Sequence, residues 1–126
     1  MKNLSESFED YLELIYCYEL KGMSDVHSNT LAKDLNVTKA AITKAMAKLV
    51  AEGYILKEAY GTITLTDKGR NTAKVVLDKH QSIREFLMNI GVSKENAEID
   101  CCKIEHIICD ETFSKIKEFN KKIKNK

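Results

Sequence analysis

Residues 31–49 read "LAKDLNVTKAAITKAMAKL", and the fold turns on how they are parsed. Two apolar stripes at helical spacing flank a short break. Leu31, Ala32 and Leu35 give the first segment one buried face. Val37, Ile42, Met46 and Leu49 give the second its inner face, and Asn36-Val37 makes the tight turn between them. Thr38 is placed to cap the second helix and Gly53 to end it.

Working outward, "SESFEDYLELIYCYELKG" (5–22) predicts a preceding helix, with Ser5 or Ser7 as its cap and Gly22 as its stop. Phe8, Tyr11, Leu12, Ile15, Tyr16 and Leu20 lie on its apolar face. On the other side, "YILKEAYGTITLT" (54–66) changes period. Two β-rich runs, 54–57 and 62–65, flank a turn at Tyr60-Gly61, which predicts a hairpin. Three helices and a hairpin are the order of a winged helix-turn-helix. A long helix follows over Asp67–Asn89, ending near Gly91. "SKENAEIDCCKIEHIIC" (93–109) opens on a capping pattern of Ser93 and Asn96, and a last helix frays into lysines. The chain is mainly α.

The helix after the turn shows Lys39, Ala40, Thr43, Lys44 and Lys48 on its outer face. Residues 38–50 hold three lysines and no acid, in a chain of net charge +1. That stripe suits phosphate contact. Thr38, Lys39, Ala40 and Thr43 sit at the end of the helix that meets base edges in such units. Short side chains there permit close approach, and an alanine can touch a thymine methyl. A solvated lysine face on an alanine-rich helix has the same pattern; the turn and the hairpin favour DNA.

The 126 residues are 44% hydrophobic and 31% charged, ordinary for a globular protein of one domain or two small lobes. No run of about 18 apolar residues and no signal-peptide pattern is present, so the expected location is cytoplasmic, with no membrane partner. Reduced thiols suit the four cysteines there. Cys101, Cys109 and Cys17 read as packing residues, with Cys109 a reserve ligand on the face of Cys102. His27 reads as a solvated surface residue.

"CCKIEHIIC" (101–109) concentrates metal donors. As a helix it puts Cys102, Glu105 and His106 at i, i+3 and i+4 on one face. Asp10 and Glu13 form a second pair at i, i+3 on the first helix, where two carboxylates repel unless solvated or sharing a cation. The long helix offers His80. These six residues come from three helices that a small bundle can converge; solvated acids around a buried thiol are the plainer alternative. An enzyme would need an open coordination position and a nucleophile–base motif, and neither pattern is present.

In order and spacing, "FEDYLELIY", "TKAAITKAMAKLVAEGYI", "LTDKG", "DKHQSIREFL", "GVSKENAEID" and "CCKIEH" resemble the DtxR/MntR family of metal-dependent repressors, over about residues 5–120. The resemblance implies an N-terminal winged helix-turn-helix (1–73) joined by the long helix to a helical metal-binding and dimerisation domain (74–126). It implies a homodimer that binds a palindromic double-stranded operator when a divalent metal is bound, repressing metal-uptake genes. By position, Asp10 and Glu13 match the acidic pair of the manganese branch, and His80, Glu105 and His106 match ligands of both branches. Cys102 stands where the manganese branch has glutamate and the iron branch cysteine, while Asp10 departs from the methionine of the iron branch. Arg84 and Glu98 replace a glutamate and a histidine of the iron branch's ancillary site. The chain as given ends before any SH3-like third domain. With one thiolate among oxygen and imidazole donors, Fe(II) is the expected co-repressor and Mn(II) the runner-up; Zn(II), Co(II) or Ni(II) should bind in vitro. A thiol-based redox regulator using Cys101 or Cys102 on the same winged helix is the alternative.

Overall fold

The computed structural model describes residues 6–125. Six helices and one two-stranded sheet follow in the order α1 (Glu6–Leu20), α2 (Ser28–Leu35), α3 (Lys39–Ala51), β1 (Ile55–Lys57), β2 (Ile63–Leu65), α4 (Asp67–Asn89), α5 (Lys94–Ile104) and α6 (Asp110–Lys124). The chain forms two compact units, Met1–Lys74 and Val75–Lys126, with α4 passing from one to the other. Ser5, one expected cap of α1, lies outside the described residues, and Ser7 falls inside the helix.

The first unit is a winged helix-turn-helix. Its core combines Leu12 and Ile15 of α1, Leu31 of α2, and Ile42, Ala45, Met46 and Leu49 of α3 with Ile55, Ile63 and Leu65 of the hairpin. The turn between α2 and α3 rests on Asn36, held left-handed at φ 54°, while the Val37 N–H bonds to the Ala32 carbonyl at 3.0 Å. Asparagine tolerates that conformation better than most side chains. Thr38 caps α3 by accepting the Ala41 N–H at 3.1 Å. Gly53, at φ 82°, closes α3 with paired bonds from Gly53 N to Val50 O and from Tyr54 N to Leu49 O.

The antiparallel strands pair Ile55 with Leu65 and Lys57 with Ile63, one residue shorter at each start than the expected 54–57 and 62–65. Tyr54 and Thr62 instead bond outside the ladder: Tyr54 N to Leu49 O at the end of α3, and Thr62 O to Glu58 N in the wing turn. Tyr60 is 92% exposed in that turn. Gly69 has a steric role, because a Cβ there would collide with the Tyr54 carbonyl oxygen. Arg70, one turn into α4, clamps Glu19 of α1 through Nε at 2.7 Å and Nη2 at 2.9 Å.

The second unit packs differently. Ile83, Cys101 and Ile116 form its buried apolar cluster, with Phe86, Leu87, Ile104 and Ile108 partly buried against it. Polar contacts supplement it. Buried Asn120 of α6 donates to the Ser82 carbonyl at 2.9 Å and accepts from Asn89 Nδ2 at 3.1 Å. Ser93 caps α5 by accepting the Asn96 N–H at 3.2 Å.

One expectation needs correction. The 93–109 stretch is not one helix. α5 ends at Ile104; Glu105 keeps right-handed geometry as its cap, and residues 105–107 form a tight turn. Cys109 then adopts extended geometry before α6. Two local preferences explain the break: β-branched Ile107 and Ile108 are poor continuers, and Asp110 and Glu111 favour a new helix N-terminus. Among the described residues no helix is long and apolar enough to cross a membrane.

Candidate metal centre and nucleic-acid interface

In the second unit, α4 presents His80 toward α5 and the turn that follows it. His80 Nδ1 lies 2.8 Å from Glu105 Oε1, and Nε2 lies 2.8 Å from Glu98 Oε2. Glu105 is a buried acid, its side chain 1% exposed, and its other oxygen lies 3.4 Å from His106 Nε2. A carboxylate withdrawn this far from water must be matched by positive charge or strong donors. Two imidazoles supply them.

Cys102 Sγ lies 3.9 Å from His80 Nδ1 and 3.8 Å from Glu98 Oε2. Thus His80, Cys102, Glu105 and His106 are brought together. Because the helix ends at Ile104, Glu105 and His106 reach the site from its cap and the following turn. Asp10 and Glu13 lie one turn apart on α1 in the first unit, both half-buried. Glu13 acts on Cys17, whose thiol is pushed up by burial first and by the Glu13 charge second.

Two neighbours exceed the sequence expectation. Cys101, read as a packing residue, is fully buried, yet its Sγ lies 3.6 and 3.7 Å from the two His80 nitrogens. Burial, then the adjacent Cys102, Glu98 and Glu105, push its thiol up to about 12. Glu98 accepts from Arg84 Nη1 at 3.0 Å. Burial opposes ionisation of Glu98, but the Arg84 hydrogen bond and the charges of His80 and Arg84 hold its carboxyl below the ordinary value. The spacing Glu98, Cys101, Cys102 is itself i, i+3, i+4, a signal as strong as the one that drew attention to Cys102, Glu105 and His106. Cys109 does not share the face of Cys102. It sits exposed at the start of α6, its Sγ 3.4 Å from Thr112 Oγ1, whose hydrogen bonds hold the thiol below its ordinary value.

In the first unit, Thr38, Lys39, Ala40, Thr43, Lys44 and Lys48 are all exposed on one side of α3, opposite Ile42, Met46 and Leu49. Lys39 and Thr43 line a groove of about 230 Å³ with His27, Asn29, Lys57 of the wing and Gly61. Lys48 differs from its neighbours: Glu52 lies 3.8 Å away and the Phe8 ring 5.8 Å. His27 is half-buried beside that groove and bonds Asp25 at 2.8 Å.

Residues 3–63 match the N-terminal DNA binding domain of iron dependent repressors, and residues 66–126 match their metal binding and dimerisation domain. An uncharacterized HTH-type transcriptional regulator of Methanocaldococcus jannaschii is 40% identical over 124 residues, 98% of this chain and 99% of its own. The HTH-type transcriptional regulator MntR of Geobacillus kaustophilus is 39% identical over 101 residues, 79% of this chain and 70% of its own. Among solved structures, the manganese regulator SloR aligns with a TM-score of 0.79 at 26% identity over 89% of this chain, which spans about half (52%) of SloR. Proteins of this kind are transcription regulators, not enzymes. By both domain matches and by these relatives, the chain belongs to the DtxR/MntR family of metal-dependent transcriptional repressors.

Proposed function

We propose that the chain is a cytoplasmic two-fold dimer that represses metal-homeostasis genes by binding a palindromic operator when Asp10, Glu13, His80, Cys102, Glu105 and His106 hold a divalent ion. Fe(II) is the physiological co-repressor in this reading, and Mn(II) the runner-up. The observation that carries it is buried Glu105 between His80 and His106, with a thiol alongside. Carboxylate, imidazole and thiol donors suit a first-row divalent ion, and the thiolate favours Fe(II) over harder Mn(II). The ion would supply positive charge to these carboxylates, and its binding is what couples metal to DNA in this reading.

The exposed face of α3 and the basic groove beside the wing support DNA recognition: Lys39 and Lys44 for phosphates, Thr38, Ala40 and Thr43 for base edges, and Lys48 at the margin. Dimerisation is supported by an apolar groove of about 480 Å³ in the second unit, lined by Ile83, Phe86, Leu87, Ile104, Ile107 and Ile116. Ile107 is 81% exposed there. An uncovered patch of this kind marks an interface, and a two-fold axis calls for a palindrome. The redox alternative has less behind it, since Cys101 is buried with its thiol pushed up to about 12, the reverse of a sensor.

The test is operator binding by metal-free protein titrated anaerobically with Fe(II), Mn(II), Zn(II) and Co(II). Activation by Fe(II) is expected. Tight, sequence-specific binding in excess chelator would refute metal control, and Mn(II) outperforming Fe(II) at equal free concentration would reverse the choice of ion.

A further inference from the structure

We propose that His27 is a DNA contact, seating one backbone phosphate with Lys39 and Lys57 in the groove beside the wing, and that this contact tightens when the imidazole takes up a proton. It rests on the reading of α3 as the DNA face, and adds to that face a residue outside the lysine stripe.

The groove is suited to an anion. Lys39 of α3, Lys57 of β1, and His27, Ser28 and Asn29 at the start of α2 line it, and no carboxylate does. Ammonium, hydroxyl and amide groups all donate to phosphate oxygens. Ser28 gives an independent sign. Its Oγ is buried and, among the described residues, has no hydrogen-bond partner. A buried hydroxyl left in that state is costly, and a phosphate oxygen would accept from it. His27 stands at the cap position of α2, yet its side chain does not bond back to the helix.

The placement of the ring decides how it acts. Nε2 lies 2.8 Å from Asp25 Oδ1. Nδ1 lies toward the wing turn, 3.3 Å from where a Cβ on residue 61 would stand, a space that Gly61 leaves open. With Nε2–H donating to Asp25, a neutral ring presents the Nδ1 lone pair, which repels a phosphate oxygen. A further proton turns Nδ1–H into a donor and adds a positive charge. Three charged groups bear on the ring: Asp25 from the loop before α2, Lys39 from α3 and Lys57 from β1. The two lysines oppose a third cation until a phosphate stands among them. Operator binding therefore takes up a proton. A state that binds more protons is favoured as pH falls, so affinity rises on descending through about pH 5–8, where imidazoles change charge.

The test uses the full chain, saturated with Fe(II) or, where Mn(II) activates better, with Mn(II). The probe is a duplex selected from a random pool at pH 8. The affinity ratio of parent to His27→Gln should grow several-fold between pH 8 and pH 6, with a ceiling of about tenfold per pH unit for one proton. At pH 6 the log-affinity against log-salt slope should be steeper in the parent by about one. Comparison with the variant cancels the titration of the metal donors, which both proteins share. Parallel pH profiles overturn the proposal. A second measurement needs only the parent's fold. In Zn(II)-loaded protein, the imidazole proton resonance of His27, identified by its loss in His27→Gln, should hold its protonated position to higher pH with the duplex than without it. No difference overturns the contact, and an equal effect from inorganic phosphate at matched ionic strength overturns its assignment to DNA. Failure of the regulatory reading shows separately, as duplex binding indifferent to metal while the pH effect of His27 persists.

Discussion

The two units reach a stable interior by different means. The DNA-binding unit buries a continuous apolar cluster from α1, α2, α3 and both strands, and its ion pairs, such as Arg70 with Glu19, stay at the surface. The second unit buries Ile83, Cys101 and Ile116, but also an acid, two nearly buried imidazoles and an amide. Among the described residues the first buries no charged side chain. The second carries buried polar groups whose stability depends on what charge sits beside them. Four of the six proposed metal donors, His80, Cys102, Glu105 and His106, belong to the second unit, where the interior is polar.

The most direct way to break this contrast is to empty the apolar core. Leu31→Ala or Ile42→Ala should cost about 2–5 kcal/mol, measured by urea unfolding, and by the same amount with and without metal. Rescue by metal would show that the first unit is not self-sufficient. Next in size is the metal effect. At a free ion concentration of about 100 times Kd, the parent should gain about 2.7 kcal/mol. Glu105→Ala should abolish that gain, and hydrogen exchange should place the added amide protection on α5, the turn after it and the turn of α1 that carries Asp10 and Glu13. Protection rising instead across the apolar core would erase the distinction.

Smaller effects sharpen the account of the DNA face. Changes at Thr43 should alter base preference by about 1–3 kcal/mol per base pair. Lys44→Ala should flatten the log-affinity against log-salt slope by about one and leave base preference intact. Lys48→Ala should change that slope less, because Glu52 and the Phe8 ring already engage Lys48. Equal slopes for the two variants would refute that ranking.

The smallest effect is the surface clamp. The Arg70 hydrogen bond, against a smaller opposing effect of burial, holds Glu19 below its ordinary 4.5. A lowered folded value stabilises above the unfolded one. The contribution is therefore complete above about pH 4.5 and lost as pH falls through the folded value. Glu19→Gln should cost about 1 kcal/mol or less at pH 7, since the pair is solvent-screened, and progressively less as acid protonates the folded carboxylate. A loss that persists at pH 2 would mean packing rather than charge.

The first unit was legible because its rules are local. Apolar spacing located α1, α2 and α3, Thr38 and Gly53 marked the ends of α3, and Tyr60-Gly61 marked the wing turn. Ala45 escaped notice on the inner face because a small side chain contributes little to an apolar stripe, yet it is buried. In the second unit, spacing drew attention to candidate donors but not to their neighbours. It brought Cys102, Glu105 and His106 near His80, though by ending a helix rather than by continuing one. Glu98 and Cys101 were not read as neighbours of His80, because which side of α5 meets His80 is decided by tertiary packing, which no heptad count specifies.

The wing carries one further consequence. The chain has no tryptophan, and Tyr60 stands 92% exposed at the hairpin tip while Tyr11 and Tyr54 are buried. A tryptophan placed at 60 would be the sole indole in the molecule, reporting from the wing alone. Its emission colour and its accessibility to a soluble quencher would follow the wing leaving water for a DNA groove. Operator engagement would then be visible optically, in an unlabelled duplex, apart from any ion arriving in the second unit.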